Sequence, residues 1–171
     1  MPINSRMDAE MQTNLPRAAN VLAGAIRGHA PTSKIAGAVS VGQVTSPAAG
    51  SYAIDVIIDM KKAPEARAFE YGSGIHNPRN PGTYEIHPKN VSLLAFYWDK
   101  VDKNSPTDGK FLGISNKTGK ALFTYVDHPG VAARPYIRPS ITEKSAEMRQ
   151  IIGRGFSVAI VAEMRDVFRV E

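Results

Sequence analysis

The sequence predicts an α+β fold, with an N-terminal helix, an antiparallel β-sheet carrying long loops and a C-terminal helical segment. Three observations predict it. Leu15, Ala19, Leu22 and Ile26 recur at helical spacing near the start. Tyr52, Ile54, Val56, Ile58 and Met60 alternate as one face of a strand does. Ser140, followed three residues later by Glu143, has the capping-box pattern that opens a second helical run. Helices at both ends with extended segments between them indicate α+β architecture rather than a doubly wound sheet. The 171 residues suit a single domain over 1–171, with its core at roughly 15–152 and extensions at 1–14 and 153–171.

The first helix is expected to start at Asn14, a good N-cap, with Pro16 in the first turn where its missing N–H costs nothing, and to stop near Gly28. Residues 3–13, with Met7 and Met11 four apart, extend or precede it, and Pro16 predicts a break between the two pieces. After Ala30-Pro31-Thr32-Ser33 the period shortens. Ile35, Val39 and Val41 share one phase, and the alternating run from Tyr52 to Met60 shares another across a turn cluster at 45–51, which is the pattern of a hairpin. Gly37 would be a weak point or bulge in its first strand. A polar exit follows, then the short segment Ala68-Phe69-Glu70-Tyr71 leading into Gly72-Ser73-Gly74.

Residues 72–83 are rich in Gly, Asn and Pro and read as a loop suited to recognition. Leu93-Leu94-Ala95-Phe96-Tyr97-Trp98, Phe111-Leu112-Gly113-Ile114 and Leu122-Phe123-Thr124-Tyr125-Val126 read as strands, the first of them buried. The stretches 99–109 and 116–119 between them carry turn residues and charge. In the last helix Ile141, Ala146, Met148, Ile151 and Ile152 follow the capping box, Gly153 and Gly155 weaken or break it, and Val158, Val161, Met164, Val167 and Phe168 resume a helical face.

The strip leading to that helix is His128-Pro129-Gly130-Val131-Ala132-Ala133-Arg134-Pro135-Tyr136-Ile137-Arg138-Pro139. Its prolines fix their own φ and push His128, Arg134 and Arg138 toward extended conformations, which predicts no helix before Ser140. Gly130 after Pro129 suits the third position of a type II turn. The strip is expected to lie extended against a neighbour, with Tyr136 and Ile137 as apolar anchors and Arg134 and Arg138 as hydrogen-bonding forks.

Composition narrows the chemistry. With no cysteine, no disulfide, thiolate metal site or cysteine nucleophile is possible. His29, His76, His87 and His128 show no metal-ligand spacing, Gly72-Ser73-Gly74 lacks the lysine of a phosphate loop, and Gly113-Ile114-Ser115 does not continue to a nucleophile elbow. Asp55, Asp59, Glu65 and Glu70 read as isolated surface acids. No enzyme, cofactor or metal is therefore expected. A net charge of +5 permits nucleic-acid contact, but the basic residues are scattered and only Lys61 and Lys62 adjoin. No stretch approaches the roughly 18 apolar residues needed to span a bilayer, so no membrane partner is expected.

Four boxes in order resemble a known family. Phe69-Glu70-Tyr71-Gly72 is similar to its aromatic, acid, aromatic, glycine box. Ile86-His87-Pro88-Lys89 and Leu94-Ala95-Phe96 look like its next pair, and His128-Pro129-Gly130 with Pro135-Tyr136-Ile137-Arg138-Pro139 resembles its last signature. The family is the neck or tail-completion proteins of long-tailed bacteriophages, the group typified by the gene-ten-like tail component, and the resemblance runs from about Ala19 to Ile152. The stretch 99–120 and the residues after Gly153 depart from it.

The resemblance implies a non-catalytic virion structural protein, made in the host cytoplasm and located in the tail or neck, that forms a homo-oligomeric ring, a hexamer, at the head–tail junction. Its partners would be itself, the adjacent connector and head-closure proteins, tail-tube or tail-terminator proteins, and packaged DNA in the channel. Such rings need head-to-tail contacts. Phe69, Tyr71, His128, Arg134, Tyr136 and Arg138 are the candidate subunit-interface residues. Alternatives are a tail-terminator or head-closure ring protein, or a non-specific nucleic-acid-binding accessory protein that stacks bases on Tyr136 between Arg134 and Arg138.

Overall fold

The computed structural model describes residues 3–48, 50–97 and 109–167. Ala49 of the turn cluster, Trp98, residues 99–108 of the expected loop and Phe168 lie outside the described residues. The architecture is α+β. The chain forms two compact units, one comprising Met1–Glu70 with Arg134–Glu171 and the other Tyr71–Ala133.

The first unit is framed by two long helices, α1 (Ile3–His29) and α4 (Ile137–Val167). Against expectation, α1 runs unbroken through Pro16. Asn14 is no N-cap. It lies inside the helix at 6% exposure and donates to Glu10 O and Oε2 at 3.0 and 2.9 Å. The backbone cost of a mid-helix proline is met by packing of α1 along α4, with Met11, Ala18, Ala19, Ala23 and Ile26 buried. At Gly155 a Cβ would stand 2.3 Å from Asn14 Nδ2, so the glycine admits the neighbouring side chain rather than ending the helix. Neither Gly153 nor Gly155 breaks α4.

Ile35 and Gly37 also depart from expectation. They belong to the short helix α2 (Ser33–Gly37), because Thr32 caps it by accepting from Ile35 N at 3.2 Å. The strand begins afterwards, as β1 (Val39–Val41), and pairs antiparallel with β2 (Val56–Ile58) in the register Val39 to Ile58. A further bridge between Thr45 and Ala53 extends the expected hairpin toward its turn. The fold then enters α3 (Ala66–Tyr71). Ala23, Ile26, Ile35, Ala38, Val39, Ala63, Ala66 and Tyr136 form the buried core, with Leu22, Val56, Ile58 and Phe69 packed around it.

The second unit is built on one strand. β6 (Ala121–His128) pairs antiparallel with β5 (Gly109–Ile114), with β3 (Tyr84–Ile86) and with β4 (Leu94–Phe96). Val126 and Phe123 each have two partners, so β5 lies along one edge of β6 while β3 and β4 follow one another along the other. Phe123 is fully buried at the centre, stacked on Phe96 and tilted against Phe111, with both ring centroids 5.2 Å away. The loop 72–83 contains a single 3-10 turn at Gly74–His76.

Candidate functional site

Two of the sequence boxes meet in the first unit. Glu70, in the last turn of α3, is 1% exposed. The expectation of an isolated surface acid is therefore wrong: the carboxylate is buried because it ends another helix. Its Oε2 accepts from Tyr136 N at 2.8 Å and Ile137 N at 2.9 Å, and its Oε1 accepts from Arg138 Nε at 2.9 Å and Arg138 N at 3.4 Å. Arg138 Nη2 also donates to Glu70 O at 2.9 Å. The opening amides of a helix have no intrahelical acceptor. In α4 they belong to Tyr136, Ile137, Arg138 and Pro139; Glu70 takes three, and the proline has no N–H to satisfy.

This arrangement explains why α4 starts before Ser140. Pro139 lies in the first turn, where its missing N–H breaks no intrahelical bond, and Glu70 holds Arg138 through both amide and side chain, so Arg138 adopts helical geometry against the extended preference of a residue before proline. The predicted capping box is absent. The Ser140 hydroxyl, fully buried, donates to Tyr136 O at 2.6 Å and lies 2.9 Å from His29 Nδ1, which therefore donates to it. Glu143 turns instead toward His29 Nε2 at 3.4 Å and Lys144 Nζ at 3.1 Å. The sequence Ser140, His29, Glu143 imitates a hydrolase triad in order of contact. The serine proton, however, is committed to a backbone carbonyl, and its oxygen faces no solvent.

Electrostatics favour the ionised carboxylate. Burial alone would raise the pKa of Glu70. The amides of Ile137 and Tyr136, then the Arg138 side chain and amide, outweigh burial and hold it below its ordinary value. The positive end of α4 acts in the same direction.

The candidate interface residues divide by what they touch. Tyr136 is 1% exposed, with its phenol donating to Ala66 O at 3.3 Å, so its side chain belongs to the core and not to a surface strip. Phe69 is half-buried against that core, and its carbonyl accepts from Arg134 N at 2.6 Å. Arg138 is the partly exposed partner of Glu70. In the second unit, Tyr71 is 53% exposed. There His128 accepts from Gly130 N at Nδ1, 2.9 Å away, and its ring lies 5.2 Å from that of Tyr84. Gly130 has the expected positive φ, 95°.

A second clasp lies within that unit. Ser73 N donates to Val131 O at 2.9 Å, Ile75 N to Pro129 O at 2.8 Å, and Val131 N to Ser73 Oγ at 3.0 Å. Gly74 and Gly130 permit the approach: a Cβ on Gly130 would stand 1.9 Å from Ser73 O, and one on Gly74 would stand 2.1 Å from Pro129 O.

Among the described residues, no group of three or more His, Asp or Glu side chains is placed to hold a metal ion, and no helix is long and apolar enough to cross a membrane. The comparisons are silent. No family model, curated protein or solved structure matches the chain.

Glu70 is the site residue whose role the sequence analysis missed. The signal was present in two places: an acid between two aromatics, and a run of three amides before Pro139 that required an acceptor.

Proposed function

We propose that the chain is a virion structural protein of a long-tailed bacteriophage, a ring-forming neck or tail-completion protein that joins tail to head, with the tail-terminator and head-closure rings as the neighbouring roles. One observation carries the reading. Phe69-Glu70-Tyr71-Gly72 and Pro135-Tyr136-Ile137-Arg138-Pro139, which resemble two of the family's boxes, are far apart in sequence, and Glu70 holds the second through three amides and a guanidinium. Boxes that form a single mechanical element have a physical reason to occur together, which strengthens a resemblance made of short motifs.

The accessory nucleic-acid reading loses the aromatic part of its motif: Tyr136 is in the core and offers no face on which a base can stack, while Arg134 and Arg138 stay exposed. A structural protein also fits the Ser140 geometry, in which the hydroxyl serves the helix start. The test is mass spectrometry of purified particles from the genome that encodes the chain. The chain should be present in several copies per particle, and particles lacking it should accumulate as separate heads and tails. Particles without any copy overturn the proposal.

A further inference from the structure

The sheet of the second unit has two outer edges, and among the described residues β5 and β3 each pair only with β6. An unpaired edge offers a row of amides and carbonyls to any strand laid beside it. Both edges also hold apolar side chains in solvent: Leu112 and Ile114 on β5 are 51% and 49% exposed, and Tyr84 and Ile86 on β3 are 43% and 37% exposed.

Their charges are opposite. On β5 the charged side chain is the exposed Lys110, and Lys117 is exposed in the turn that follows. On β3, Glu85 stands directly across from Asp127 of β6. Like charges in a direct cross-strand pair repel, and His87 Nε2 lies 2.8 Å from Glu85 Oε2. The two edge strands themselves therefore carry opposite charges, Lys110 on β5 and Glu85 on β3.

We infer that β5 of one copy docks beside β3 of the next, with Lys110 set against Glu85, so that the sheet continues from subunit to subunit. The inference rests on the ring reading above and names the surfaces that close the ring. A symmetric contact is disfavoured at either edge, because β5 on β5 sets lysines against lysines and β3 on β3 sets carboxylates against carboxylates. A head-to-tail contact is the arrangement that generates rings. The register shifts in β5 and its Lys110 hinder pairing with an uncharged strand, which makes the acidic edge the fitting partner.

Zero-length coupling of lysine to carboxylate in purified particles tests the contact. A ladder in steps of the 18.5 kDa chain is expected, with peptides from the dimer band joining Lys110 or the neighbouring Lys117 to Glu85. Glu85→Lys and Lys110→Glu should each lower incorporation into particles about tenfold, and the two together should restore most of it. Both side chains are exposed, and Glu85→Lys removes the repulsion with Asp127, so a circular dichroism melt no lower than that of the parent chain separates lost docking from lost folding. Particles that contain the chain but yield linked peptides only from other surfaces, or a double variant no better than the single ones, overturn the docking and leave the ring reading standing. Particles that contain no chain remove the ring reading, and the docking falls with it.

Discussion

The chain passes between its two units twice, and each unit holds the two passages together by different physics. In the first unit a buried carboxylate gathers three amides and an arginine. In the second, two glycines let backbone meet backbone between 73–75 and 129–131. The carboxylate clasp depends on charge and therefore on pH; the glycine clasp depends on space. The difference shows that equal continuity of hydrogen bonding can conceal unequal sensitivity. One clasp fails when a proton arrives, the other when a methyl group does.

Removing the carboxylate has the largest expected effect. Glu70→Ala strands three amides in a closed site and leaves Arg138 without its counter-charge, at a cost of about 4 kcal/mol, which a denaturant midpoint will register. Next is Gly130→Ala, which combines a left-handed φ with a backbone collision at Ser73 O, about 3 kcal/mol in total. Its increase in hydrogen exchange should be concentrated within 71–133, while that of Glu70→Ala should centre on the start of α4.

Acid separates the clasps without mutation. The pKa of Glu70 is lower folded than unfolded, so its contribution is complete above the unfolded value of about 4.3 and is lost as pH falls through the folded value. Stability should drop as pH falls below about 4.3 and through the folded value, and Glu70→Gln, at about 2 kcal/mol, should remove much of that slope while Gly130→Ala leaves it intact. The smallest effect is Arg138→Ala. The arginine side chain is 63% exposed, so the loss should be about 1 kcal/mol by thermal melt, and the α4 start should keep its protection from exchange because the Glu70–amide bonds remain.

The long helices, the hairpin and the β5–β6 pair were legible because each rests on local periodicity or on turn residues. Ile35 misled because strand preference and helix capping compete over so short a segment, and the Thr32 side chain decided between them. Ser140 misled for the opposite reason. Its capping pattern with Glu143 is a local signal, and a carboxylate 66 residues or more away along the chain had already satisfied the helix start. Pro16 was read by its local cost alone, whereas packing against α4 carries α1 through it. The glycines show the same limit: Gly130 announced its turn, but neither its distance from Ser73 nor the contact between Gly155 and Asn14 has a signature in one segment.

The bond from Arg134 N to Phe69 O has a consequence for how such a chain can change over time. The points at which the chain leaves the first unit and returns to it are hydrogen-bonded neighbours, so residues 71–133 amount, for that unit, to one long loop with tied ends. Loop-closure entropy grows only slowly with length. The helices, the hairpin and the Glu70 clasp can therefore persist as a fixed base while the tethered sheet lengthens, shortens or is exchanged, and a short linker in place of 71–133 should leave α1 and α4 packed.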